Sequence, residues 1–180
     1  MVEIELKFFL NKKQKEFLLD LLGPSRARVY EKTTMYDNRE SLMQTTDGRI
    51  RLRRSGNKFE LSYKRPITRE VIKKEIEYET EVSDIEQMEK ILKEMGFEPT
   101  TSYERYRTTI KKANAKITID EYPFATFIEI EGNEKVITKL ANDLGLKNNI
   151  TKSCDTLFAE WRLSKNLPII DDMLFSNFNK

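Results

Sequence analysis

The 180 residues contain no histidine, which removes an imidazole general base and a histidine-ligated zinc from the possible chemistry. A single cysteine, Cys154, leaves no internal disulfide and suits a reducing cytoplasm. No apolar run reaches the roughly 18 residues of a membrane span, and a strand pattern starts at residue 2 with no signal-peptide pattern before it. The expected location is therefore cytoplasmic, with no membrane partner. Glycine and proline are scarce, at 6 and 5, and nowhere gather into a linker. One domain is expected over 1–164, followed by a tail over 165–180 with Pro168, scattered apolar residues and no period. Nor is there an excess of one charge: 32 basic against 30 acidic residues leave a net +2, which argues against a general nucleic-acid binder.

What is present is charge in quantity, 34% of residues against 38% hydrophobic, and it alternates. Glu3, Glu5 and Lys7 share one face of the first strand, with Val2, Ile4, Leu6 and Phe8 on the other. One such strand would ordinarily turn its charges to water. Here the pattern recurs in almost every later strand-like segment, so a sheet closed around its charges, with apolar faces outside under helices, is the better reading.

Asn11 caps an expected helix with Phe17, Leu18, Leu21 and Leu22 on one side, stopped by Gly23-Pro24. Residues 27–37 read as a strand, and a looser stretch runs to the Asp47-Gly48 turn. Arg49, Arg51 and Arg53 alternate with Ile50 and Leu52 before the Ser55-Gly56-Asn57 hairpin turn. The return strand sets Lys58, Glu60, Ser62 and Lys64 opposite Phe59, Leu61 and Tyr63, and Pro66 ends it. Residues 70–82 carry Glu75, Glu77, Glu79 and Glu81 on one face. Ser83 or Asp84 caps a second helix that stops at Gly96. A strand with Tyr103, Arg105 and Arg107, a turn near Asn114, and strands with Thr118 and Asp120, then Glu129 and Glu131, follow. A helix is expected over 134–145 and another from Ser153, with Phe158 and Trp161 in its core face. The strands are successive and hairpin-linked, so the sheet is antiparallel and able to close into a barrel. Tyr36, Tyr103 and Tyr122 could stack on a base, although strand tyrosines more often pack.

Burying so many ions in an empty interior would cost several kcal/mol each even after relaxation (roughly, by continuum argument). The cavity must be wet and filled by species needing both signs. A polyphosphate with divalent cations fits: arginines and lysines hold phosphate oxygens, and paired carboxylates hold the metal. Oxygen ligands without histidine point to Mg²⁺ or Mn²⁺.

The ordered set also resembles the CYTH family, the triphosphate tunnel metalloenzymes. Glu3-Ile4-Glu5-Leu6-Lys7 looks like its ExExK signature, Arg51 and Arg53 like its paired arginines, and Lys64 like the lysine on the next strand. Glu75 and Glu77 match its acidic strand, Asp120 and Phe127–Glu131 its late acidic positions, and Lys152-Ser153 its basic residue and serine before the last helix. Arg105 and Arg107 stand where a Lys-x-Arg pair is more usual. The resemblance implies an α+β fold built on a closed eight-stranded antiparallel tunnel with a charged interior and helices outside. It implies Glu3, Glu5, Asp120, Glu129 and Glu131 as metal ligands. Lys7, Arg51, Arg53, Lys64, Arg105, Arg107 and Lys152 would bind substrate, with Glu75, Glu77 and Lys64 catalytic. The expected function is metal-dependent hydrolysis of a small-molecule triphosphate: tripolyphosphate, thiamine triphosphate or a nucleoside triphosphate. A class IV adenylyl cyclase and a non-catalytic polyphosphate-binding module are the alternatives, in a monomer or homodimer.

Overall fold

The computed structural model describes residues 2–23, 27–68, 72–168, 170 and 172–178. Eight strands form a closed barrel: β1 (Val2–Leu10), β2 (Val29–Asn38), β3 (Arg49–Ser55), β4 (Lys58–Thr68), β5 (Lys73–Val82), β6 (Phe97–Lys112), β7 (Ala115–Glu121) and β8 (Thr126–Glu131). Around the barrel they run β1-β5-β4-β3-β2-β6-β7-β8, every neighbour antiparallel. Tight hairpins make this order. Gly56 turns β3 into β4 at φ 61°, and Ala113-Asn114 turns β6 into β7 with φ of 51° and 61°.

The helices are α1 (Lys12–Leu22), α2 (Leu42–Thr46), α3 (Ile85–Glu94), α4 (Glu134–Asp143) and α5 (Cys154–Ser164). Asn11 closes a reciprocal capping box with Gln14 on α1. Asp84 and Ser153 accept the first-turn amides of Gln87 and Thr156. Two outward apolar clusters hold the helices on. Leu6, Phe8, Ile117, Ile128 and Ile130 meet Leu18 of α1 and Ile137 of α4. Tyr36, Leu52 and Val82 meet Leu92 of α3. A third cluster occupies one end of the bore, where Met35 and Tyr103 pack with Phe158 of α5 and with Met173.

Several expectations need correction. On α1 only Leu18 is buried, with Leu19 and Leu22 beside it, whereas Phe17 and Leu21 are exposed; the 3.6-residue period aligns 18 with 22 and turns 17 and 21 away. The stretch before Gly48 contains α2. Pro66 does not end β4, which continues to Thr68 through a register shift, a bulge that dispenses with the proline's missing N–H. Pro24, and residues 70 and 71 of the long acidic segment, lie outside the described residues.

Two strands outrun their neighbours. β7 pairs only with the second half of β6, from Tyr106 onward. Along the first half runs the segment carrying Met173, which joins Tyr103 as a parallel bridge. Met173 N donates to Ser102 O at 2.8 Å and Glu104 N to Met173 O at 3.0 Å. Likewise β5 pairs with β1 only through Glu5, and beyond it Ile150 N donates to Lys7 O and Lys7 N to the Asn149 side chain. No described helix is long and apolar enough to cross a membrane.

Candidate functional site

The alternating residues that face inward line a cavity of about 120 Å³ along the bore. Among the described residues its wall carries nine cationic and eight anionic side chains. Their distribution follows barrel order. Glu3 and Glu5 of β1, Glu75 and Glu77 of β5, and Glu129 and Glu131 of β8 form an acidic side. Arg51 and Arg53 of β3 and Arg105 of β6 lie across from it.

On the acidic side each carboxylate is held by an ammonium. Lys64 lies 2.5 Å from Glu3 and 2.8 Å from Glu77. Lys73 lies 3.0 Å from Glu5 and 2.6 Å from Glu75, which also takes Arg49. Lys7 reaches Glu129 at 3.0 Å and Lys116 reaches Glu131 at 2.7 Å. The register makes these pairs: Glu5 stands opposite Lys73, Lys64 opposite Glu77, Lys7 opposite Glu129, and Lys116 opposite Glu131. Burial disfavours the Lys7 ammonium, but Glu129 and Glu5 outweigh it and raise its pKa. Burial would also raise Glu129, yet Lys7, Arg107 and Arg105 hold it well below the usual carboxylate range.

The arginines divide into two kinds. Arg105 donates Nε to Glu31 at 2.8 Å, and Nη1 to Asp120 at 3.1 Å and Tyr122 Oη at 3.0 Å, and is 4% exposed. Arg107 sends Nε and Nη2 to Asp120 at 2.6 and 2.5 Å, and Nη2 to Glu129 at 3.1 Å. Four buried guanidinium nitrogens lack a hydrogen-bond partner among the described residues, Nε of Arg49 and Arg53 and Nη2 of Arg51 and Arg105; the two Nη2 groups still lie in ion-pair range of Glu77 and Glu31. Unsatisfied buried donors are costly, and these belong to cations on a cavity wall. Arg51 lies between, with Nε on Ser62 Oγ at 3.3 Å and Nη2 3.5 Å from Glu77.

The structure thus brings Glu3, Glu5, Lys7, Arg51, Arg53, Lys64, Glu75, Glu77, Arg105, Arg107, Glu129 and Glu131 to one cavity. It does not bring Asp120 or Lys152 to the wall. Asp120 is fully buried behind the two arginines it holds. Lys152 pairs with Glu160 at 2.5 Å, both about half exposed. Sequence reasoning left Lys73, Lys116 and Glu31 out, although each has inward parity on its strand. Tyr103 and Tyr122 pack as strand tyrosines are expected to, in the cluster with Phe158, and both rings also line the cavity, with Cys154. Burial raises Tyr103's hydroxyl, but Arg51, Arg105 and Arg53 bring it below its ordinary value.

Among the described residues no three acidic or thiol side chains form a preassembled cation cage. The donor set nonetheless fits a divalent ion. The carboxylates on the cavity wall are oxygen-only donors, which suit a hard divalent cation.

The CYTH domain profile matches residues 1–152. A protein of Methanocaldococcus jannaschii, provisionally named an adenylate cyclase, is 24% identical over 169 residues, 92% of this chain and 93% of that one. The PH1819 protein of Pyrococcus horikoshii superposes with a TM-score of 0.72 at 24% identity, over 88% of this chain and 98% of that one. A Hippeastrum protein, described as a suspected adenylyl cyclase with a dominant triphosphatase activity, gives 0.65 at 16% identity, over 93% and 97%.

Proposed function

This chain belongs to the CYTH domain family, and on that premise we propose that it is a metal-dependent triphosphatase, holding a small-molecule triphosphate in the bore and hydrolysing its terminal anhydride. The observation that carries the reading is the set of buried guanidinium nitrogens without a hydrogen-bond partner, on Arg49, Arg51, Arg53 and Arg105, beside the lysine-held carboxylates of the same cavity. Arg53 and Arg51, with Lys7, Lys64 and Arg107, hold phosphate oxygens. Arg105, engaged on three sides by Glu31, Asp120 and Tyr122, fixes that edge of the arginine cluster. Asp120 acts through Arg105 and Arg107. Lys152 would have to leave Glu160 before it could reach a phosphate.

Glu3, Glu5, Glu129 and Glu131 would hold Mg²⁺ or Mn²⁺. Such an ion, when bound, supplies charge neutralisation and polarises phosphoryl oxygens. The chain's own part is to align the triphosphate and take a proton. Water oxygen bonds to the terminal phosphorus, the bridging P–O bond breaks with its electrons leaving on the diphosphate, and Glu77 accepts the water's proton. Lys64, in contact with Glu77, shifts to the phosphate as that carboxylate is protonated.

A second reading is kept open by the relative provisionally named an adenylate cyclase: the same cradle, with the ribose 3′-hydroxyl attacking the innermost phosphorus and pyrophosphate leaving. One assay separates them. Tripolyphosphate, thiamine triphosphate, ATP and GTP are offered with Mg²⁺ or Mn²⁺, and phosphate, pyrophosphate and cyclic nucleotide are measured separately. The proposal expects phosphate with diphosphate product; cyclic nucleotide with pyrophosphate overturns it in favour of the cyclase. Glu3→Gln and Glu5→Gln should each abolish turnover with the melting temperature preserved, and near-normal rates at saturating Mg²⁺ would sink the metal assignment.

A further inference from the structure

The inward residues of β7 are Lys116, Thr118 and Asp120. Lys116 is paired with Glu131, and Asp120 with Arg105 and Arg107. Thr118, the neutral member between them, lines the bore and is 3% exposed. Its Oγ1 is buried without a hydrogen-bond partner among the described residues. Thr109 stands opposite on β6 and does not bond to it. A buried hydroxyl left unmet costs free energy that a valine of the same shape, equally suited to a strand, would avoid. On the wall of a polar cavity, such a hydroxyl implies a partner that comes with the ligand.

The neighbours say which ligand. Thr118 stands directly opposite Glu129 on β8, the carboxylate that Lys7 approaches at 3.0 Å and Arg107 at 3.1 Å. Both cations only donate. Phosphate oxygens only accept, and the charged donors around them already serve that need better than a neutral hydroxyl. A water bound to a divalent cation is the reverse case, because its oxygen is committed to the metal and it needs acceptors for its protons. Thr118 Oγ1 is a neutral acceptor on the wall beside a carboxylate assigned to the metal. The dimensions agree. Mg²⁺ holds its waters at about 2.1 Å and a water–hydroxyl bond spans about 2.8 Å, so the two together cover about one strand spacing. Branching at Cβ restricts χ1 and keeps the hydroxyl aimed.

We propose that Thr118 is a positioning residue for the divalent ion: its hydroxyl accepts a hydrogen bond from a water in the ion's inner shell. It thereby favours Mg²⁺, which gives up water reluctantly, over Ca²⁺, which takes more oxygen ligands in looser geometry. This rests on the placement of the ion at Glu129 in the triphosphatase reading.

Thr118→Val removes the hydroxyl at nearly constant shape, and Thr118→Ser keeps it without the methyl group. Binding of Mg²⁺ and of Ca²⁺ is measured by calorimetry on each intact chain with no phosphate present, and binding of tripolyphosphate with no divalent ion. Melting curves verify the fold of each variant. Thr118→Val should weaken Mg²⁺ by about ten-fold, the lower end for a lost outer-shell contact. Its Ca²⁺ affinity should fall much less, its tripolyphosphate affinity should be unchanged, and without metal it should melt at or above the parent's temperature. Thr118→Ser should retain most of the Mg²⁺ affinity. The proposal is overturned if Thr118→Val binds Mg²⁺ as the parent does, or loses Ca²⁺ to the same extent. It is equally overturned if Thr118→Ser fails as the valine variant does, or if the loss falls on tripolyphosphate, which would make the hydroxyl a phosphate donor. Those results leave the triphosphatase reading standing. A parent chain that binds tripolyphosphate but neither ion removes the metal assignment and this proposal together.

Discussion

Glu31 sits beneath the arginine cluster without touching the cavity. Both of its oxygens are used, one on Arg105 Nε and Nη2, the other on Ser55 Oγ at 3.1 Å. Burial would raise its pKa, but Arg105, Arg107 and Arg53 together hold it at about 2, down from 4.5. A carboxyl lowered on folding stabilises the fold fully above its unfolded pKa and loses that contribution as pH falls through the folded one. The contribution is roughly 3 kcal/mol and should disappear between about pH 4.5 and pH 2. Urea unfolding of Glu31→Gln should therefore show lower stability at pH 6 and a smaller loss than the parent on going to pH 3. Equal losses would remove Glu31 from this role. Lys64 supplies the opposite test, since its ammonium occupies Glu3, one of the carboxylates assigned to a metal. Lys64→Met should tighten Mn²⁺ binding measured without any phosphate, by about ten-fold or ~1.4 kcal/mol, while weakening tripolyphosphate. Unchanged Mn²⁺ affinity would mean that lysine and metal do not compete.

At the scale of elements, the polar faces were legible because a strand's period of two is carried here by charge: Glu3/Glu5, Arg51/Arg53 and Glu129/Glu131 mark the inside unambiguously. Arg54, of opposite parity, is exposed, as the alternation requires. What parity could not reveal was which inward residues are covered by distant parts of the chain. Met35 and Tyr103 share the inward face with Glu31 and Arg105, yet they plug one end of the bore because Phe158 of α5 and Met173 come back from far along the chain. No local pattern encodes that return. The same applies to Asp120, whose inward parity is correct but whose side chain is taken up by two arginines before it reaches the cavity. The expected tail segment has a definite element to join, the free half of β6. Besides the backbone bonds, Ser102 N donates to the Asp172 carboxylate at 2.7 Å and Phe175 N to Glu104 at 2.9 Å. A chain ending at Pro168 should lose at least about 3 kcal/mol, from Met173 burial and these bonds. Amide exchange at Ser102 and Glu104 should accelerate most. Unaltered protection there would show that the segment contributes nothing to β6.

For the molecule as a whole, like charges crowd in the empty bore: Arg51, Arg105 and Arg107 all push Arg53's pKa downward, in addition to its burial. A ligand that relieves this binds only the folded barrel. Tripolyphosphate with Mg²⁺ at about 1,000 times its dissociation constant should add roughly 4 kcal/mol of stability. Monophosphate spans too few cations to match it. Sulfate at equal ionic strength acts by screening, so a melting temperature that responds equally to all three would contradict a closed, ligand-filled bore.

The partly unpaired flank of β6 also imposes an order in time. Synthesis proceeds from the N-terminus, so β1 leaves the ribosome first, but its neighbours are β5 and β8, and the ring cannot close before residue 131 has been made. Even then, residues 97–105 keep a bare hydrogen-bonding edge until the chain around Met173 arrives. Throughout that interval a nascent chain carries an open strand able to pair with any other. Translation that pauses after β8 would therefore favour aggregation, and rapid synthesis through Met173 would favour the closed barrel.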